Sequence, residues 1–245
     1  MQILILGATG RTGTQVVLEA LQRGHNVTAL VRNPSALDDL TSKLPAAQKA
    51  NLAVVKGSPL NNVDVTSAIT AASPAGPDTK LAVISALNSR RTSENPWAAP
   101  HPTDSPPRMM ADSIANVLSV LSRAAAGWAE KPKVVYVSAI GVGKSSPNAH
   151  WVLRTLIGHS NVKLTYDDHD AAEAELREAG EGVKWVVLRP GRLTEGDDKK
   201  QAKVWPAEKG MVGMTASISR GAVARFSLDA AEKSEWDGKD PIILG

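Results

Sequence analysis

Gly7-Ala8-Thr9-Gly10-Arg11-Thr12-Gly13 follows the apolar run Ile3-Leu4-Ile5-Leu6 and precedes a helical pattern from Gln15 to Arg23, whose apolar positions are Val16, Val17, Ala20 and Leu21. Strand, glycine turn and helix form the setting in which a G-x-x-G-x-x-G run binds a dinucleotide. The first glycine lets the chain leave the strand where a Cβ would clash. The second lets a pyrophosphate approach the backbone, and the third lets helix and strand pack. Unpaired N–H groups and the positive end of the helix dipole then face the phosphates.

Further strand-like runs lie near residues 26–31, 52–55, 81–86, 133–138 and 183–188, with a short one at 242–244. Helical patterns fall near 12–23, 35–43, 63–72, 107–126, 168–179 and 220–231. This alternation predicts an α/β fold, a Rossmann-type doubly wound parallel sheet. No composition shift marks a linker, so residues 1–245 read as a single domain.

Two stretches break the rhythm. Residues 88–107 form a proline-rich loop after the fourth strand, with Trp97 inside it. Loops of that length inside a compact domain are usually functional or disordered. Residues 192–219 mix Gly196, Pro206, Gly210 and Gly213 with Trp205, Met211 and Met214, and read as a small C-terminal substrate-side insertion. Ligands of open α/β sheets bind beyond the carboxyl ends of the strands. Both stretches reach that edge and are candidate walls of a substrate pocket. The run Trp151 to Ile157 reads as an extra helix, and the sequence leaves open whether it covers the pocket, faces a partner or lies in the core.

Composition narrows the class. Aromatics are few, six Trp, two Tyr and one Phe, so the core rests on Val, Leu, Ile and Ala, as suits a parallel sheet covered on both faces. The formal charge of +3 is spread along the chain, which argues against a nucleic-acid partner. Cysteine is absent, which removes disulfides, thiolate metal sites and a Cys nucleophile. The five histidines form no i, i+4 pair beside an acid, so no metal is expected. No apolar run reaches the ~18 residues of a membrane span. The chain opens on a strand without a leader pattern, so a cytoplasmic protein is the expectation. Nothing in the sequence sets the oligomeric state.

The end of the second strand selects the cofactor. An acid there suits NAD, whereas a basic residue suits the 2′-phosphate of NADP. Here Leu30-Val31-Arg32-Asn33-Pro34 offers Arg32 and no acid until Asp38. The planar fork of Arg32 matches phosphate oxygens, and Arg11 is a second candidate for the same group. NADP(H) is therefore the expected cofactor.

Those two motifs, with Val135-Tyr136-Val137-Ser138-Ala139, Leu188-Arg189-Pro190-Gly191 and Ile218 to Phe226, resemble the atypical short-chain dehydrogenase/reductases. The chain is most similar to their NAD(P)H-binding, NmrA-like group, which includes the flavin reductase/biliverdin-IXβ reductase type. The resemblance implies that Gly7, Thr9, Gly10, Arg11, Thr12 and Gly13 hold the pyrophosphate and adenosine end, and Arg32 the 2′-phosphate. Ala86, Leu87 and Asn88 pass under the ribose. Ser138 and Ala139 lie beside the nicotinamide, and Pro190, Gly191 and Arg192 flank its other side. Where such families often have Gly-Asp after the third strand, this chain has Gly57-Ser58, which leaves Ser58 and Leu60 as the adenine contacts.

The proton-delivering set departs from that of the ordinary short-chain reductases. Ser138 stands in the serine position and Tyr166 in the tyrosine register, but four residues on is Asp170 rather than Lys. An acid there opposes tyrosine ionisation. Tyr136 lies within a strand and is expected to face a packed layer. His169 is the other candidate, since histidine titrates near neutrality. Asp167, Asp168 and Asp170 also read as capping residues of a helix start. The expected catalytic set is Ser138, His169 and Tyr166. Weak proton delivery suits a small conjugated or aromatic acceptor (flavin, quinone or enone/ketone type) reduced by NADPH. Two rivals remain: a non-catalytic NADP(H)-binding redox sensor, and a natural-product tailoring isomerase or cyclase on the same fold.

Overall fold

The computed structural model describes residues 1–123, 128–195 and 199–245. Its order begins β1 (Gln2–Leu6), α1 (Arg11–Gln22), β2 (Asn26–Val31), α2 (Asp38–Lys43), α3 (Ala46–Ala50), β3 (Leu52–Lys56), α4 (Asn62–Ala71) and β4 (Leu81–Ser85). It continues with α5 (Met109–Arg123), β5 (Lys133–Val137), α6 (Trp151–Gly158), α7 (Val162–Glu178) and β6 (Lys184–Pro190). The last elements are β7 (Arg192–Thr194), β8 (Lys203–Trp205), β9 (Ser217–Ser219), α8 (Arg220–Glu232) and β10 (Ile242–Leu244).

One eight-stranded sheet runs β3-β2-β1-β4-β5-β6-β10-β8. All its pairings are parallel except β10 with β8. The Rossmann-type doubly wound sheet read from the alternation is the one observed. Period-two alternation divides the central strands between two cores. On β1, Ile3 and Ile5 pack with Val16, Val17 and Ala20 of α1 and with Val223 of α8. Leu4 and Leu6 pack on the opposite face with Val65 of α4, Ile114 of α5 and Leu176 of α7.

Among the described residues, the stretch 192–219 contains three strands that the sequence reading did not separate. β8 extends the main sheet, while β7 and β9 form a parallel pair of their own. Three-residue strands carry too little periodicity to be told from loop. The extra helix at 151–157 is present as α6, and Leu153 packs with Trp205 against Ile140, Ala149, Val212 and Ile242. Buried Asn148 ties the insertion to the β5 side, donating to Ala207 O (2.8 Å) and Gly210 O (2.9 Å).

Two element readings need correction. The helix placed at 168–179 is α7, which starts six residues earlier, at Val162. Its acids therefore lie inside the helix. Asp168 caps a different helix: its two oxygens accept from Met110 N–H and Ala111 N–H (3.0 Å each) at the start of α5. Asp167 instead pairs with Lys163 one turn back (2.7 Å). The short α3 was also missed. The helix placed at 107–126 is α5 as far as Arg123; its expected last residues, and Gly196 of the insertion, lie outside the described residues.

Candidate functional site

The carboxyl ends of β1, β4, β5 and β6 stand side by side, since Leu6 is in register with Ser85, Ser85 with Tyr136, and Val137 with Leu188. Four predicted groups therefore meet at one edge: the glycine turn, Ala86-Leu87-Asn88, Ser138-Ala139 and Pro190-Gly191-Arg192. Ser58 and Leu60 lie further along the same edge, after β3.

The glycine turn is built for close approach. Gly7 has φ +78°, and a Cβ there would stand 2.8 Å from Ala86 O. A Cβ on Gly13 would stand 2.0 Å from Gly7 O, so α1 packs on the turn only because it is absent. Gly10 N–H donates to Gly7 O (2.9 Å), and Gly10 is the N-cap of α1 with no side-chain cap. Side chains therefore leave the first N–H groups of α1 free to meet an anion. At the β3 end, Asp64 accepts Ser58 N–H (2.8 Å), and a Cβ on Gly57 would meet Asp64 Cβ at 2.7 Å. Leu60 is exposed beside them.

Charge gathers at two places along this edge. Arg11 Nη1 contacts Glu195 Oε1 (2.7 Å), and the buried Arg220 Nη1 lies 2.9 Å from the same oxygen without hydrogen-bond geometry. Burial, then the charge of Arg11, pushes the Arg220 guanidinium down from its ordinary value, against the pull of Glu195. Arg32 Nη1 donates to Asp104 Oδ1 (3.2 Å), from the loop after β4. That loop is folded. Arg91 and Pro100 form an antiparallel bridge, and Thr92 N–H donates to Ala99 O (3.0 Å). Its tip is pinned at the far side, where Trp97 Nε1 donates to His159 O (2.8 Å) and Asn161 Nδ2 to Trp97 O (2.7 Å).

Under Ser138 lies a polar layer between β5 and α7. Tyr136 and Ser138 share one face of β5 because they are two apart, and His169 and Glu173 share one face of α7 because they are four apart. The pairs meet in register. Ser138 Oγ donates to Glu173 Oε1 (2.7 Å), and Tyr136 Oη lies 2.6 Å from His169 Nδ1. Glu173 is fully buried and also takes Arg189 Nε (3.2 Å), Arg189 Nη2 (2.6 Å) and Arg177 Nη2 (2.7 Å). Burial pushes the Glu173 carboxyl up, but Arg189 first, then Ser138 and Arg177, outweigh it and hold it below its ordinary value. Ser138 thus has its proton committed and turns only lone pairs to a ligand.

Burial pushes His169 down to about 4, against the charge of Glu173. Burial, then Asp168 and Glu173, push Tyr136 well above its ordinary value. With both groups neutral, a single proton lies along this contact, and the tautomer of His169 sets which of the two donates. Tyr136 has no exposed surface and faces the packed layer, as its strand position implied. Tyr166 lies against Gly141, where a Cβ would stand 3.3 Å from its Cε1, and burial pushes its hydroxyl up to about 12.

Glu173 and Arg189 are the site-supporting residues that sequence reading passed over. A signal was present for both. Glu173 sits on the buried stripe of Ala172 and Leu176, and Arg189 interrupts the apolar run Val186-Val187-Leu188. A charge in such a place has a buried partner.

Comparison with known proteins agrees with the fold and the turn. The reductase pytE of Aspergillus terreus is 28% identical over an alignment of 266 positions, covering 98% of this chain and 97% of that one. Among solved structures, ChuY, an anaerobillin reductase from Escherichia coli O157:H7, superposes with a TM-score of 0.72 at 19% identity, over 100% of this chain and 97% of that one. Yeast methylglyoxal/isovaleraldehyde reductase Gre2, complexed with NADPH, gives 0.69 at 15% identity, over 100% and 78%. No helix among the described residues is long and apolar enough to cross a membrane. A family model described as NAD(P)H-binding matches residues 7–234, from the first glycine of the turn to just beyond α8, and the chain belongs to that NAD(P)H-binding family.

Proposed function

We propose that the protein is an NADPH-dependent reductase of a small conjugated or aromatic acceptor, of flavin, quinone or enone type. The observation that carries this reading is the state of the three expected proton donors, Ser138, His169 and Tyr166. Tyr166 is pushed up to about 12, His169 and Tyr136 hold each other in the interior, and the Ser138 proton is committed to Glu173. An acceptor that spreads the incoming electrons over a π system takes its proton from water. A simple carbonyl develops an alkoxide and needs an acid beside it.

Bound NADPH supplies the reducing equivalents. Gly7, Thr9, Gly10, Arg11, Thr12 and Gly13 hold its pyrophosphate, and Arg32 its 2′-phosphate. Arg32 with no acid on the end of β2 supports NADPH over NADH. Ser58 and Leu60 border the adenine, while Ala86, Leu87 and Asn88 lie under the ribose. Ala139, Pro190, Gly191 and Arg192 flank the nicotinamide. Ser138 accepts a hydrogen bond from the carboxamide or from the acceptor. Tyr166 and His169 act through the shape and dryness of the pocket. The name reductase pytE and the NADPH in Gre2 agree with an NADPH-dependent reductase.

The test is NADPH oxidation against a panel of flavins, quinones and enones beside simple aldehydes and ketones. Turnover of the conjugated acceptors is expected to lead. An aldehyde or ketone turned over far faster refutes the acceptor class. Tight cofactor binding with no turnover favours the redox-sensor rival, and product formation without net cofactor oxidation favours the isomerase or cyclase.

A further inference from the structure

The loop after β4 reaches across β1 to the end of β2 and places one carboxylate between two guanidinium groups. Asp104 Oδ1 accepts from Arg32 Nη1 (3.2 Å), and Asp104 Oδ2 accepts from Arg90 Nη1 (3.1 Å). Among the described residues neither arginine has another carboxylate partner, so the trio carries a surplus positive charge. The backbone of Arg90 is held in place on both sides. Its N–H donates to buried Ser105 Oγ (2.6 Å), and its carbonyl accepts from His101 N–H (2.8 Å). His101 Nδ1 accepts Asp104 N–H (3.2 Å) and so aims the acid.

We infer that Arg90 is the second arm of the 2′-phosphate site, and that Asp104 occupies this site as a stand-in anion until NADPH displaces it. This rests on the NADPH reading above. A carboxylate offers two oxygens and one charge to two guanidinium forks. A phosphate monoester offers three oxygens and a charge of roughly −1.5 to −2, which matches both arginines. NADH brings only a hydroxyl and gains little from displacing the acid. Asp104 therefore acts against the phosphate, and the pair Arg32–Arg90 acts for it.

Calorimetry with NADPH, NADH, 2′,5′-ADP and AMP tests this on the full chain, with circular dichroism to confirm that each variant folds. Arg90→Ala is expected to weaken NADPH and 2′,5′-ADP by roughly tenfold, the loss of one charge-assisted hydrogen bond, with NADH and AMP unchanged. Asp104→Asn is expected to tighten NADPH and 2′,5′-ADP several-fold, again without effect on NADH. A purely structural role for Arg90 would weaken all four ligands together and overturns the inference. So does an Asp104→Asn protein with unaltered NADPH affinity. A wild-type protein that binds NADH as well as NADPH, or an Arg32→Ala variant with unaltered preference, sinks the NADPH reading itself. Loss of preference in Arg32→Ala with none in Arg90→Ala overturns only the two-armed site.

Discussion

Replacing Glu173 with Leu strands a charged guanidinium in the interior. Arg189 is 3% exposed and its bidentate partner is gone, while Ser138 loses the acceptor that orients it. Breaking a buried pair from one side costs about 3–5 kcal/mol. Asp240, partly exposed, remains 3.1 Å from Arg189 Nη2, which places the expected loss near the lower end, about 3 kcal/mol. For a domain of this size that corresponds to a fall in Tm of roughly 6–12 °C. Urea unfolding followed by tryptophan fluorescence measures it, with an unchanged m-value as the check that only stability moved. The double variant Glu173→Leu/Arg189→Met is the discriminating measurement. Replacing both charges by apolar groups of similar size removes the penalty, so it should be more stable than the single Glu173→Leu. A single variant within about 1 kcal/mol of wild type refutes the reasoning, and so does a double variant that loses the sum of the two singles. The folded Glu173 carboxyl is held low, so its contribution is present above the unfolded pKa and is lost as pH falls through the folded one.

Three further outcomes follow from the same geometry. Folded His169 binds a proton only near pH 4, against 6.5 for the free side chain, so the unfolded state takes up the proton first. Stability therefore falls as pH drops from about 6.5 to about 4, by up to about 3 kcal/mol, and His169→Gln should flatten that slope; an identical slope in the variant would show that another group titrates. Asp168→Ala leaves the Met110 and Ala111 N–H groups buried without an acceptor, a loss of about 1–3 kcal/mol in chemical denaturation that Asp168→Asn should partly restore. Gly13→Ala puts a Cβ 2.0 Å from Gly7 O, so fluorescence titration should find dinucleotide binding abolished, and retained affinity would mean that α1 shifts freely on the turn.

Local pattern carried a large part of this protein. The continuous apolar runs and the helical stripes between them contain the sheet, because each central strand must bury two faces and each helix one, and those demands are written within a few consecutive residues. The glycine turn is equally local: its first and third glycines are required by atoms of the same turn and of the segment just after β4. Partners distant in sequence were decided only by tertiary packing. Asp168 looks like the cap of its own helix and caps α5 instead, 57 and 58 residues away. Ser138 and His169 were visible as polar residues near an expected site. That Glu173 holds the serine proton and Tyr136 seals the histidine depends on the register of α7 on β5, which no spacing within either element contains. The loop at 88–107 reads as proline-rich and irregular. The reach of Asp104 to Arg32 exists because β4 lies next to β1 and β1 next to β2. The sequence by itself determined the longer strands and helices of the sheet and the place of the glycine turn between β1 and α1. Tertiary structure decided which charges and protons gather at the carboxyl edge of the sheet, because the strength and direction of a buried polar group depend on neighbours that only folding brings within 3 Å.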